Sequence, residues 1–190
     1  MTDIAASTVV EAMNRRYAAK TFDRTKKISD ADRTEFLEAL RLSPSSYGLQ
    51  PWKFIARRRS TTSDHITRHM EMLQQERGVS AEALQSFKNM LIRSAAGRPP
   101  ELQDAWNSNQ TDVALGVAAM AAALLKIDAC PVEGFDPVKF DDVLGLSGGD
   151  FTTTVAIAFG YRGEHDLFSS FPPLSRAADD VFVELGAGGL

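Results

Sequence analysis

Arg15-Arg16-Tyr17-Ala18-Ala19-Lys20 gathers three cations within a short stretch, with Arg16 and Lys20 on one face if the segment is helical. Such a cluster can hold an anion, phosphate foremost, and it equally describes a solvated basic helix end. Ser43-Pro44-Ser45-Ser46-Tyr47-Gly48-Leu49-Gln50-Pro51-Trp52 forms a turn whose short hydroxyls and backbone N–H groups can face an oxyanion. The same residues also suit an ordinary helix C-terminus, with Gly48 available for a left-handed conformation. In Pro131-Val132-Glu133-Gly134-Phe135-Asp136, glycine allows backbone to approach a flat ligand closely, or makes a plain turn. Ser175-Arg176 adds a cation near the chain's end.

Other constellations carry less. His65 and His69 have metal-ligand spacing on a helix but lack an evident third ligand, so no metal is expected. Cys130 ends an apolar strand and reads as a buried small hydrophobe rather than a nucleophile. No G-x-S-x-G, P-loop or G-x-G-x-x-G occurs where its chemistry would need it.

The elements that must position these segments follow from periodicity and punctuation. Helices are expected over 4–17, 29–42, 63–77, 80–94, 102–125 and 137–144, with strands over 53–58, 127–130 and 152–160. Ser29 with Asp32 marks a helix start, and Phe36, Leu37 and Leu40 give it an apolar face. Trp106-Asn107-Ser108-Asn109-Gln110 reads as an exposed early part of the long helix. The stretch from Val113 to Leu125 is rich in Ala and Gly and suits close packing in a core or subunit interface. Asp112 and Lys126 bracket too few uncharged residues for the about 20 that cross a bilayer. Residues 152–160, β-branched and then apolar, read as a strand covered on both faces, which places the sheet inside with helices on either side. Gly97-Arg98-Pro99-Pro100 is the clearest break between helices, and the tail 186–190 reads as mobile.

A chain of 190 residues is expected to be one domain, over 1–190, with a sizeable core, and a dimer would bury more of its small-residue helix. With 21 basic and 25 acidic residues the net charge is −4, which argues against nucleic acid as the main partner. A single cysteine excludes an internal disulfide. Met1-Thr2-Asp3-Ile4 lacks a signal-peptide or lipidation pattern, so a cytoplasmic protein is the simplest expectation.

Together, P-S-S…Q-P-W and P-x-E-G-F-D resemble the nitroreductase family of FMN enzymes, and the match runs over most of the chain. The resemblance implies an α+β fold, a three-layer α/β/α sandwich with a mixed central sheet, formed by two chains as an intertwined homodimer with FMN at the interface. It carries over the cofactor-binding set Arg15, Arg16, Tyr17, Ala18, Lys20, Ser45, Ser46, Tyr47, Gly48, Pro131, Val132, Glu133, Gly134 and Arg176. Within that set Arg16 and Arg176 correspond to phosphate ligands, and Lys20 to a cation at the flavin pyrimidine edge. Ser45 and Ser46 correspond to a turn against the cofactor, Glu133 and Gly134 to backbone donors near flavin N5. The implied activity passes hydride from NADH or NADPH through FMN to a nitroaromatic or quinone, with no side-chain acid or base.

Four departures from the family pattern accompany the match. Ala18 stands for a serine, Gly48 for an asparagine and Leu174 for a lysine. After about residue 59 the chain passes almost at once to the helix beginning near Ser63, where relatives carry a further helix and buried strand. These departures keep open an alternative, a shortened and catalytically impaired flavin-binding or interaction protein of the same family.

Overall fold

The computed structural model describes residues 6–54, 56–58, 63–171 and 175–182. The expectations for Met1–Ile4, the junction 59–62, Leu174 and the tail 186–190 lie outside these residues.

The chain order is α1 (Ala6–Arg15), α2 (Asp30–Arg41), a 3-10 turn (Ser46–Gly48), β1 (Trp52–Lys53), β2 (Ala56–Arg58), α3 (Ser63–Arg77), α4 (Ala81–Leu91), a π turn (Ile92–Ala96), α5 (Pro100–Leu124), β3 (Asp128–Val132), α6 (Pro137–Val143), β4 (Phe151–Thr152) and β5 (Ala156–Gly160). The helices follow their punctuation. Ser29 caps α2 by accepting from the Asp32 N–H, Ser80 caps α4 at Ala83, and Pro100 occupies the first turn of α5. At α6, Asp136 accepts from the backbone of Val138 and Lys139.

Helix α5 is the axis of the molecule. Its buried stripe runs through Gln103, Asn107, Gln110, Ala114, Ala118 and Ala122, the spacing of one helical face. The alanine half packs with Phe36 and Leu40 of α2 and with Ile127 and Ala129, beneath Ile157 and Phe159. Phe36 meets Phe159 edge to face at 4.3 Å. The other half, through Trp106, borders a second core of Leu49, Ile66, Met70, Leu91 and Ala95. The expectation that 106–110 is exposed is therefore corrected. Asn107 is fully buried, and Gln103 donates to the carbonyls of Ala96 at 2.8 Å and Arg98 at 3.1 Å. Amide side chains are retained here because they satisfy backbone groups of turns that α5 covers.

Two expected strands are each broken. The strand over 53–58 folds back as a hairpin, with Trp52 opposite Arg57 and Lys53 opposite Ala56. Only four residues separate Arg58 from α3, so the stretch takes its pairing locally, from itself and from β4. The strand over 152–160 divides into β4 and β5 because the buried Asp141 carboxylate captures what a ladder would use. It accepts from the Thr152 hydroxyl at 2.6 Å, the Thr153 N–H at 2.7 Å and the Thr153 hydroxyl at 2.8 Å. The described strands form two antiparallel sheets, β1-β2-β4 and β3-β5. A parallel bridge from Ala18 to Ala129 beside antiparallel β3-β5 gives the second its mixed character. Strand β5 is half-buried, with Ala158 exposed, rather than covered on both faces.

Replacing Asp141 with alanine strands two threonine hydroxyls and a backbone N–H in the interior. Urea unfolding is expected to show a loss of about 3 kcal/mol for Asp141→Ala and about 1 kcal/mol for Thr153→Val.

Candidate functional site

Buried Asp128 at the start of β3 organises the segment after α1. It accepts from the Arg162 backbone at 2.9 Å and from its guanidinium at 2.5 and 3.1 Å, with Arg15 at 3.5 Å. Arg162 also donates to the Arg15 carbonyl at 3.2 Å and lies over the Tyr17 ring at 4.4 Å. Arg15 further donates to the Ala123 carbonyl at 3.0 Å, near the end of α5. The carboxylate bonds hold the Arg162 guanidinium more firmly protonated than usual, and burial raises the Tyr17 phenol, with Arg162 opposing it. The Tyr17 hydroxyl is enclosed, with no hydrogen-bond partner among the described residues. Arg15 and Tyr17 thus face inward.

A second acid fixes the rest of the segment. Asp166 accepts from the backbones of Lys20 at 2.6 Å and Thr21 at 2.8 Å, and from Phe168 at 3.1 Å. These backbone donors, Thr21 foremost, hold its carboxyl below the ordinary value of 3.8. Between the two anchors Ala18 bridges to Ala129 of β3. Arg16 and exposed Lys20 are left with no acidic partner among the described residues, and the Lys20 ammonium lies 3.8 Å from Cys130 Sγ. Cys130 is buried.

Strand β3 then delivers Pro131 and Val132 opposite Ile157 and Ala156. Glu133 and Gly134 leave it exposed, in a tight turn closed by the Phe135 N–H on the Glu133 carbonyl at 2.9 Å. The added Cβ at Gly134 would meet nothing within 4 Å, so the space over this backbone is open. Segments 16–20 and 131–134 thus lie along the same strand.

The Ser45–Gln50 turn sits elsewhere. Tyr47, Gly48 and Gln50 have positive φ of 57°, 69° and 41°, a costly conformation for the two that are not glycine. Several clamps hold it: the Ser46 N–H donates to Gln110 Oε1 at 2.7 Å, the Gln50 N–H to Ser45 Oγ at 2.8 Å, and His65 Nε2 meets the Leu49 carbonyl at 2.7 Å. His69 bonds the Tyr47 backbone, and burial lowers its pKa. Both histidines therefore serve this turn. The Ser45 N–H and the Ser46 hydroxyl have no partner among the described residues. The Ser46 N–H, expected to face an anion, is taken by Gln110.

Gln110 and Ala123 mark the two places on α5. At 1.5 Å per residue they lie about 20 Å apart along the helix axis, so within one chain the turn and the Arg16–Lys20 segment are held at opposite reaches of α5. Arg176 is exposed, and its described hydrogen bond, at 2.8 Å, is to the Asp180 carbonyl in its own turn. Sequence reasoning missed Asp128, Arg162, Asp166 and Gln110. The signals were an acid inside the apolar run 127–130 and the helical spacing of Gln103, Asn107 and Gln110 with the alanines beyond.

The α+β fold described above is shared with proteins of known structure. The nitroreductase family model matches residues 13–161, and the chain belongs to the nitroreductase family. It is 33% identical to YfkO of Bacillus subtilis, named among the NAD(P)H nitroreductases, over 91% of this chain and 95% of that one. The fold is that of a nitroreductase family protein from Streptococcus pneumoniae (TM-score 0.72, 22% identity, 93% of this chain and 98% of that one). The FMN-dependent nitroreductase NfnB from Mycobacterium smegmatis, in complex with NADPH, shares it (TM-score 0.57, 15% identity, 95% and 98%).

The lowered Asp166 carboxyl contributes stability that is fully present above the unfolded value near 3.8 and lost as pH falls through the folded one. Asp166→Asn is expected to be less stable than the parent at pH 7, and the gap should narrow below pH 3.8 in urea titrations across that range.

Proposed function

We propose that this protein is an FMN-dependent oxidoreductase that takes hydride from NADH or NADPH and delivers it to a nitroaromatic or quinone acceptor. The observation that carries this reading is the pair of cations, Arg16 and Lys20, which meet no acid among the described residues and flank Ala18 where it bridges to β3, the strand that leads into the open backbone of Glu133 and Gly134. These residues fit a flat anionic cofactor. Arg16, with Arg176 brought in from the C-terminal segment, would bind the phosphate, and Lys20 would offset negative charge at the pyrimidine edge. Glu133 and Gly134 would present backbone N–H groups to the ring, and the Ser45 N–H and Ser46 hydroxyl would close over it. When bound, FMN supplies the hydride chemistry, and the chain's own groups bind, orient and screen it from water.

The separation of the two half-sites along α5 supports assembly from two copies, the Ser45–Gly48 turn of one facing the Arg16–Lys20 segment of the other. Exposed Val9, Val10 and Met13 on α1 and Val113 and Leu124 on α5 offer an apolar face for that contact. Among the described residues no helix is long and apolar enough to cross a membrane, in keeping with a cytoplasmic protein that acts on small molecules.

A second reading, a shortened relative that folds and binds flavin without efficient turnover, is favoured by one observation. The YfkO alignment runs over 217 positions but includes 91% of this 190-residue chain, about 173 residues, which leaves about 44 positions without a residue here. We place that internal gap after about residue 59.

Purified protein is expected to keep flavin absorption after addition of FMN and desalting; colourless protein would overturn the cofactor reading. NADPH turnover with a quinone separates the two readings. Arg16→Ala should weaken FMN binding by about 10- to 100-fold, the worth of a charge-assisted phosphate contact. Lys20→Ala should slow flavin reduction more than it weakens binding, which stopped-flow mixing with NADPH would read.

The two-copy arrangement has its own test. Arg16→Ala and Gly48→Val protein, each poor in flavin alone, should regain about a quarter of the parent's flavin content when refolded together in equal amounts, since about half the dimers are mixed and one of the two sites of a mixed dimer escapes both changes. No recovery would place both half-sites in one chain.

A further inference from the structure

A cleft of about 380 Å³ opens between the turn at Ser43–Gln50 and the second half of α3, within the about 300–1,000 Å³ usual for small-molecule sites. Pro44, Met72 and Leu73 give it an apolar wall, and the end of α3 brings Glu76 and Arg77 to its lining. Successive residues on a helix do not face each other, and among the described residues Arg77 meets no acid. His69 lines the same cleft. Its ring is bonded to the Tyr47 backbone, and burial first, then the nearby charge of Arg77, oppose its protonation. Among the described lining residues Arg77 is thus the one permanent cation.

Each part of this lining suits a part of one ligand. The apolar wall takes a flat base, the Glu76 carboxylate accepts from a sugar hydroxyl or an amine, and a guanidinium without an acid takes a phosphate monoester. Ser45 and Gly48 belong both to the cleft and to the turn read above as closing over the flavin. A dinucleotide whose nicotinamide lies on the flavin therefore has the cleft beside it for its other end.

We propose that this cleft receives the adenosine end of NADPH and that Arg77 binds the 2′-phosphate, which makes NADPH rather than NADH the preferred hydride donor. The inference rests on the oxidoreductase reading above and names the donor which that reading leaves open. NADH offers Arg77 a neutral hydroxyl where NADPH offers a dianion, so the choice is made by one charge-assisted contact.

The test begins with binding to the full-length protein by calorimetry, using adenosine 2′,5′-bisphosphate, 5′-AMP, which lacks only the 2′-phosphate, and inorganic phosphate. The bisphosphate is expected to bind with a Kd of about 100 μM or tighter, and about 10-fold or more tighter than 5′-AMP. Arg77→Ala should remove that difference while leaving 5′-AMP binding and flavin content unchanged. In turnover, the same variant should lower the ratio of kcat/KM for NADPH to that for NADH by about 10-fold, through the KM for NADPH. Equal binding of the bisphosphate and 5′-AMP, or an Arg77→Ala protein that keeps the preference, would overturn the proposal. So would inorganic phosphate binding as tightly as the bisphosphate, which would make this a site for the free anion. Should Arg77→Ala fail to fold by circular dichroism, the comparison of the three ligands on the unaltered protein decides. Calorimetry reads the cleft even on protein that holds no flavin, so loss of the flavin reading and loss of this one are told apart. Flavin-loaded protein that oxidises NADH and NADPH equally well would sink the cleft assignment alone.

Discussion

A single carboxylate with almost no access to solvent, that of Asp128, fixes three distant parts of the chain at one point. An acid buried this deeply is tolerable only when it is paired and hydrogen-bonded. Arg162 supplies both backbone and side chain, and Arg15 approaches from the end of α1. That requirement brings the residue after β5 and the end of the first helix to the start of β3. The segment between Arg15 and Thr21 is then held beside β3 between Asp128 and Asp166, and among the described residues Arg16 and Lys20 meet no acid because those two are already satisfied. The site's positive charge follows from how its neighbours are neutralised.

Helix α5 carries the second constraint. Its buried face changes character along its length, amides first and alanines after, and each half meets what it can satisfy. Gln103 and Gln110 end in turns whose backbone groups need partners, and the alanines admit β3 and α2 at close range. One continuous helix thereby sets the distance between the Ser45–Gln50 turn and the cation segment, and makes their meeting in one chain a matter of about 20 Å rather than of loop flexibility.

Much of this was legible in the sequence, in proportion to how local its causes are. Capping residues and apolar periodicity place the helices, with α3 over Ser63–Arg77 as expected, and Gly48 takes the left-handed conformation its turn called for. Burial of Cys130 followed from an apolar strand. What failed depended on partners far along the chain. Nothing within 152–160 announces that Asp141 will take the Thr153 N–H, so a continuous strand was expected where two short ones form. The stretch 106–110 looked exposed because polarity was weighed ahead of phase, although Asn107 and Gln110 share the face of Ala114 and Ala118. In the candidate site, residue types near Arg16, Lys20 and Gly134 were readable, but the inward turn of Arg15 and Tyr17 was not, since it depends on Asp128 and Arg162.

The alanine stripe of α5, buried against α2 and β3, has a consequence for how the core closes during folding. Alanine has no side-chain rotamers to lose on burial, whereas each Lys, Glu or Met ordered at an interface forfeits about 1.5–2 kcal/mol of conformational freedom. A helix face built from Ala114, Ala118 and Ala122 and their neighbours therefore presents a surface already frozen before anything touches it. Packing against it costs the newcomer its own side-chain freedom but almost none from α5, so this helix acts as a preordered half of whatever contact it makes.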